Sequence, residues 1–123
     1  MSEPLLYYIL NEDHSITVSE DILKWAQSFE SQNRIVAKTH IGNVNVSTVF
    51  LGLDHRFGDE GPPLIFETMI FGGTYDEAQY RTSTYEEAQA VHATAVRKVK
   101  TTAYGRWIGF LDFLIVLLTG TKP

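Results

Sequence analysis

The chain has no cysteine among its 123 residues. That absence removes thiol nucleophiles, disulfide frameworks, cysteine-ligated zinc and iron–sulfur clusters at once, and it suits a reducing cytoplasm. Positive charge is scarce as well: 10 Lys and Arg against 15 Asp and Glu leave a formal charge of −5. Sequence-independent nucleic-acid binding draws its affinity from cations that neutralise phosphates, so nucleic acid is not an expected partner. No internal repeat, low-complexity tract or long linker divides the sequence. With 44% hydrophobic and 12% aromatic residues, it reads as a single α+β domain over 1–123. A chain of this length buries roughly two-thirds of its unfolded surface and needs no structural metal to fold.

Long apolar runs are also few. The stretch from Leu5 to Leu10 follows Glu3 and no basic residue, and it is too short for a secretion signal. The most apolar stretch, Trp107 to Leu118, covers 12 residues where a membrane span needs about 20, and Asp112 lies near its middle. Stable membrane insertion is not expected. A terminal helix that is apolar on every face exceeds what one small domain needs to cover its core. Self-association through Trp107, Phe110, Leu111 and Leu114 is the expectation.

The recognised phosphate-binding glycine motifs, the H-E-x-x-H zinc pair and the G-x-S-x-G nucleophile turn are all missing. No cofactor is expected. Four histidines occur, at positions 14, 40, 55 and 92, and none has ligand spacing with another. No metal site is expected.

Residues 5 to 18 read as a hairpin about the polar turn Asn11 to His14. Ser19 is placed as the N-cap of a short helix over 20–31, with Ile22, Trp25, Ala26 and Phe29 on one face. Strand periodicity follows over 34–41 and 44–53. The two-residue turn Gly42-Asn43 between them sets a register that opposes Val36 to Val49, Ile35 to Phe50 and His40 to Asn45. Residues 54–63 form a loop, 64–71 a third run, and 72–84 a polar loop. A capping box, starting at Ser83 or Thr84, then opens a helix whose apolar stripe holds Ala88, Val91, His92, Ala95 and Val99. The expected architecture is an antiparallel sheet of three to five strands (N-terminal hairpin plus meander), packed by two amphipathic helices and an apolar C-terminal helix.

Three groups of side chains could carry chemistry. Asp54 and His55 leave the second meander strand beside Glu67 on the third, and a carboxylate near an imidazole or guanidinium is how acid–base pairs are built. These are the catalytic candidates of a small hydrolase or isomerase, and they have an ordinary reading as loop cap and solvent-facing strand residue. Tyr75, Tyr80 and Arg81 combine aromatic area with a planar cation, suited to bases, phosphates or protein hot spots. Arg56 and the basic end of the second helix, Arg97 and Lys98, complete the set of binding candidates. His92, on an apolar stripe, reads as a half-buried, hydrogen-bonded histidine.

The string VSTVFLGLDHRFGDEGPPLIFETMIFGG over 46–73, with Tyr80-Arg81-Thr82-Ser83-Thr84-Tyr85-Glu86-Glu87-Ala88 and His92, resembles a family of small bacteriophage and prophage proteins without an assigned activity. The match covers roughly 34–95. It departs at Ala90-Val91-His92, where the family more often has a Gly before the His. The resemblance implies a phage accessory gene expressed in the host bacterial cytoplasm, which is the expected location. By analogy it points to a non-enzymatic, homo-oligomeric binder of a host defence protein or of a small nucleotide-like signalling ligand; a minor virion component is a third reading beside the enzyme.

Overall fold

The computed structural model describes residues 6–31, 33–54 and 61–102. Within them the order is β1 (Tyr7–Leu10), β2 (Ile16–Ser19), α1 (Ile22–Ser31), β3 (Ile35–Ile41), β4 (Val44–Phe50), β5 (Phe66–Phe71), β6 (Gln79–Thr82) and α2 (Tyr85–Lys100). The protein is α+β. The expected C-terminal helix, with Trp107, Phe110, Leu111 and Leu114, lies outside the described residues, as do His55 and Arg56.

The hairpin β1–β2 stands as its own two-stranded antiparallel sheet, and β3-β4-β5-β6 form a four-stranded antiparallel meander. A backbone bond from Tyr8 N–H to the Gly52 carbonyl, 2.9 Å, ties the hairpin to the chain leaving β4. On the α1 side, Trp25 lies between the rings of Tyr7 and Phe29, 5.2 and 4.8 Å between centroids. Gly52, at φ +78°, passes directly beneath. A Cβ there would sit 3.0 Å from ring atoms of both Trp25 and Phe29.

Asp21, and not Ser19, caps α1. Its carboxylate accepts from the N–H groups of Leu23 and Lys24 at 3.0 and 3.2 Å, while the Ser19 hydroxyl bonds only the backbone N–H and carbonyl of Asp21. A charged acceptor at the positive helix end outcompetes a neutral hydroxyl two residues earlier. At α2 the capping choice falls on Thr84, which accepts from Glu87 N–H at 3.1 Å.

The Gly42-Asn43 turn delivers the expected register near the hairpin end, with Ile41 opposite Val44 and His40 opposite Asn45. Farther out, the pairs Val36 with Val49 and Ile35 with Phe50 do not form. A bulge at Val36 shifts the ladder so that Ile35 opposes Val49. The extra residue turns Val36 inward beside Ala37, where it packs against the cluster containing Tyr8 and Phe50.

The 72–84 segment also differs from a plain polar loop, because Gln79–Thr82 within it form β6. Its short, polar sequence hides a strand that alternates Tyr80 and Thr82 on one face with Gln79 and Arg81 on the other. A four-residue edge strand needs only one partly covered face, so it leaves little hydrophobic pattern to read.

α2 covers the face of the meander that presents Val44, Val46, Thr48 and Phe50 from β4 and Phe66, Thr68 and Ile70 from β5, all buried. The core falls into two apolar clusters along the strands. One joins Ile41, Val44, Val46 and Ile70 to Ala95 and Val99; the other joins Tyr8, Phe50, Ile65 and Phe66 to Ala88. Between them runs a polar layer.

Candidate functional site

That layer is built from residues whose strand positions alternate with the apolar ones. Thr48 sits between Val46 and Phe50, Thr68 between Phe66 and Ile70, and His92 one turn beyond Ala88 on α2. The Thr48 and Thr68 hydroxyls bond each other at 2.6 Å. His92 Nδ1 bonds Thr48 Oγ1 and its Nε2 bonds Thr39 Oγ1, both at 2.8 Å. The side chain of His92 is 7% exposed, and Thr48 and Thr68 are 0% and 1% exposed. One ring nitrogen of neutral histidine donates and the other accepts, and each hydroxyl does either, so a neutral imidazole satisfies this chain completely. Burial lowers the His92 pKa below its ordinary value. Charged groups on the meander, Lys38, Glu67 and Arg81, alternate onto the opposite face.

The layer therefore fixes how α2 docks. A one-turn slide of the helix would set an imidazole against Val46 or Phe66 and leave hydroxyls unpaired, at a cost of about 1–3 kcal/mol for each stranded group. Four separated pieces of the chain supply it: Thr39 from β3, Thr48 from β4, Thr68 from β5 and His92 from α2. The expected hydrogen-bonded character of His92 is what the geometry shows. Its partners were missed; threonines at inward strand positions, facing a histidine on an apolar stripe, are the signal that pointed to them.

The catalytic candidates take other contacts. Asp54 Oδ1 accepts the Leu64 N–H at 2.9 Å, closing the loop between β4 and β5. Glu67 is opposite Val49, as its strand position implies, and on its other side it faces Arg81 across the β5–β6 ladder. Its Oε2 accepts from Arg81 Nε at 3.1 Å, with side chains 15% and 30% exposed. Glu67 is thereby charge-paired on the face away from α2. His55 lies outside the described residues.

Of the binding candidates, three meet. The turn after β5 brings Tyr75 under α2, β6 brings Tyr80, and α2 brings Lys98. Lys98 Nζ stands 4.4 Å from the centre of the Tyr75 ring and 5.8 Å from that of Tyr80, and donates to the Tyr80 hydroxyl at 3.3 Å. Both contacts are cation–π in geometry. Arg97 adjoins them on the helix and bonds Thr94 Oγ1 at 3.1 Å. Arg81 belongs to the other face, and Arg56 lies outside the described residues. Beside the cluster a groove of about 270 Å³ runs between Tyr80 and the α2 flank of Ala90, Val91, Thr94 and Ala95. Small residues on the helix leave it open, and a cation stands at one end.

A larger cleft, about 590 Å³, lies between the β1–β2 turn, α1 and the start of α2. His14, at φ +71°, stacks on Tyr85 with centroids 3.7 Å apart at its edge. Glu12 is its one charged lining residue, and the apolar floor is Ile9, Leu10 and Ile35. Neither His14 nor Tyr85 was singled out by the sequence. A residue in the left-handed region that is neither Gly nor Asn was the feature to look for there, and only the backbone reveals it.

Among the described residues no helix is long and apolar enough to cross a membrane, and no group of three His, Asp or Glu side chains is placed to hold a metal ion. No protein-family model, curated protein or solved structure matches the chain.

Proposed function

We propose that the protein is a phage-encoded, non-enzymatic binding protein, homo-oligomeric, that acts in the host cytoplasm by antagonising a host defence factor or sequestering a small nucleotide-like ligand. The observation that carries this reading is the Tyr75–Tyr80–Lys98 cluster at the mouth of the apolar groove. Two aromatic faces, a hydroxyl and an ammonium converge beside open hydrophobic surface, which is the composition of a recognition site. Lys98 is held by ring faces and one neutral hydroxyl, with no carboxylate bonded to it among the described residues, so its charge is available to an anionic group. Asp54 and Glu67, by contrast, are spent on a loop closure and an ion pair.

The test is affinity purification of the tagged protein from infected or expressing bacteria, with Lys98→Glu in parallel. Lys98 is exposed, so reversing its charge leaves the core intact. The expected result is a host protein retained by the natural sequence and depleted at least tenfold with Lys98→Glu, at an unchanged melting temperature. Equal recovery with both proteins would remove the cluster from the binding surface.

A further inference from the structure

We propose that β6 is the dimerisation edge of this domain, pairing antiparallel with β6 of a second copy about a two-fold axis that passes through Tyr80. Among the described residues β6 ends the four-stranded sheet. The carbonyls of Ala78 and Thr82 accept from Ile70 and Ile65 on the β5 side. By the alternation of an antiparallel ladder, the N–H and C=O groups of Gln79 and Arg81 then point away from β5. The opposite edge, β3, is unsuited to the same use: it is bulged at Val36 and carries Lys38 and His40 on its outer positions. β6 has no bulge. Its single charge, Arg81, is already paired with Glu67.

Symmetry selects the register. With Tyr80 opposite its own copy, Gln79 of each chain opposes Arg81 of the other, and all four outward groups of each strand meet partners. Shifting by one residue along each strand would place Arg81 opposite Arg81, a like-charge pair that destabilises a ladder.

The same axis suits α2. The row Ala37, Thr48, Thr68, Tyr80 crosses the sheet in register, and His92 bonds Thr48 from above. The axis is therefore level with His92, the middle of a helix that runs from Tyr85 to Lys100. α2 lies along the strands, with Ala88 over Phe50 and Phe66 and Val99 over Val44 and Ile70. The two-fold operation sets the copies of α2 antiparallel across the joined sheet. The acidic first turn of one, with Glu86 and Glu87, then lies at the same end of the joined sheet as the basic last turn of the other, with Arg97, Lys98 and Lys100. The two grooves beside Tyr80 merge into one channel between the helices. This assignment uses β6 and not the apolar stretch around Trp107 to Leu114.

Because the chain has no cysteine, single replacements report the geometry without background. Gln79→Cys and Arg81→Cys chains of different tag length are co-expressed and then oxidised with glutathione disulfide. The expected product is a mixed covalent dimer, with neither variant linking to itself. Gln79→Pro removes an outward N–H at the first residue of the strand, where proline is tolerated; it is expected to fold with unchanged circular dichroism and to run as a monomer in light scattering. A natural-sequence protein that is monomeric at 100 micromolar (roughly the range of a weak dimer) overturns the proposal. So does an oligomer that survives Gln79→Pro or shows no mixed link. Cross-linking reads subunit geometry alone, so its failure leaves the outcome of the Lys98→Glu purification untouched.

Discussion

Gly72→Ala is expected to cost about 3–5 kcal/mol, lowering the melting temperature by roughly 12–20 °C. Two penalties add. Gly72 holds φ +92°, a conformation open to glycine and strained for alanine, and a Cβ would stand 2.8 Å from the backbone oxygen of Asn43. That oxygen belongs to the β3–β4 turn, whose own backbone is fixed by the register of Ile41 with Val44, so it cannot retreat as a flexible side chain would. Gly61→Ala separates the two penalties. Gly61 has φ +80° with nothing among the described residues within 4 Å of an added Cβ, and is expected to lose only about 1–2 kcal/mol. Equal melting temperatures for the two variants would show that the close approach of the β5–β6 connection to the β3–β4 turn is wrong. The effect reaches the binding cluster, because Gly72 N–H is held by Asp76 and the turn they make presents Tyr75 to Lys98.

Thr48→Val is expected to destabilise the protein by about 2–4 kcal/mol, although valine has nearly the same shape. The hydroxyl it removes is shared by His92 Nδ1 and Thr68 Oγ1, and both would remain buried without that partner. Denaturant titration of Thr48→Val, His92→Leu and the double variant gives the coupling directly. The double variant should lose clearly less than the sum of the singles, since removing both partners strands fewer polar atoms than removing one. Strict additivity would mean that the layer is not a connected unit.

The same layer makes stability depend on pH. An unfolded histidine takes its proton near pH 6.5, whereas burial holds His92 neutral to lower pH. Below about pH 6.5 the unfolded chain binds the extra proton first, so acidification favours unfolding. The contribution is complete above pH 6.5 and is lost as pH falls through the lowered folded value. His92→Gln, whose amide offers both a donor and an acceptor, should flatten the stability profile over that window in chemical denaturation. An unchanged slope would place the acid sensitivity elsewhere.

Turn chemistry and alternation made the β3–β4 register near Gly42, the position of Glu67 beside Val49, and the histidine on the α2 stripe legible in the sequence. These are local properties, fixed within a few residues. The bulge at Val36 was not legible, because it answers to packing against Tyr8 from a distant hairpin. Nor was the exchange of Ser19 for Asp21 as cap, where both residue types qualify and one residue of helix boundary decides. Thr39 and Thr48 reach His92 across 53 and 44 residues, and no local pattern states such a pairing. At the candidate site, grouping Tyr75, Tyr80, Arg81, Arg97 and Lys98 in sequence mixed two faces of one strand. Period-two alternation within Gln79-Tyr80-Arg81-Thr82 separates Arg81 from Tyr80, once the segment is known to be a strand.

The proposed role of the Tyr75–Tyr80–Lys98 cluster is to bind and hold a partner or ligand. Native mass spectrometry of freshly purified protein, beside Lys98→Glu prepared identically, tests it most directly. The expected species is an oligomer of the natural sequence carrying an additional mass, a small molecule or a host protein, that Lys98→Glu does not retain. A bare chain of identical mass and subunit number from both preparations would contradict it.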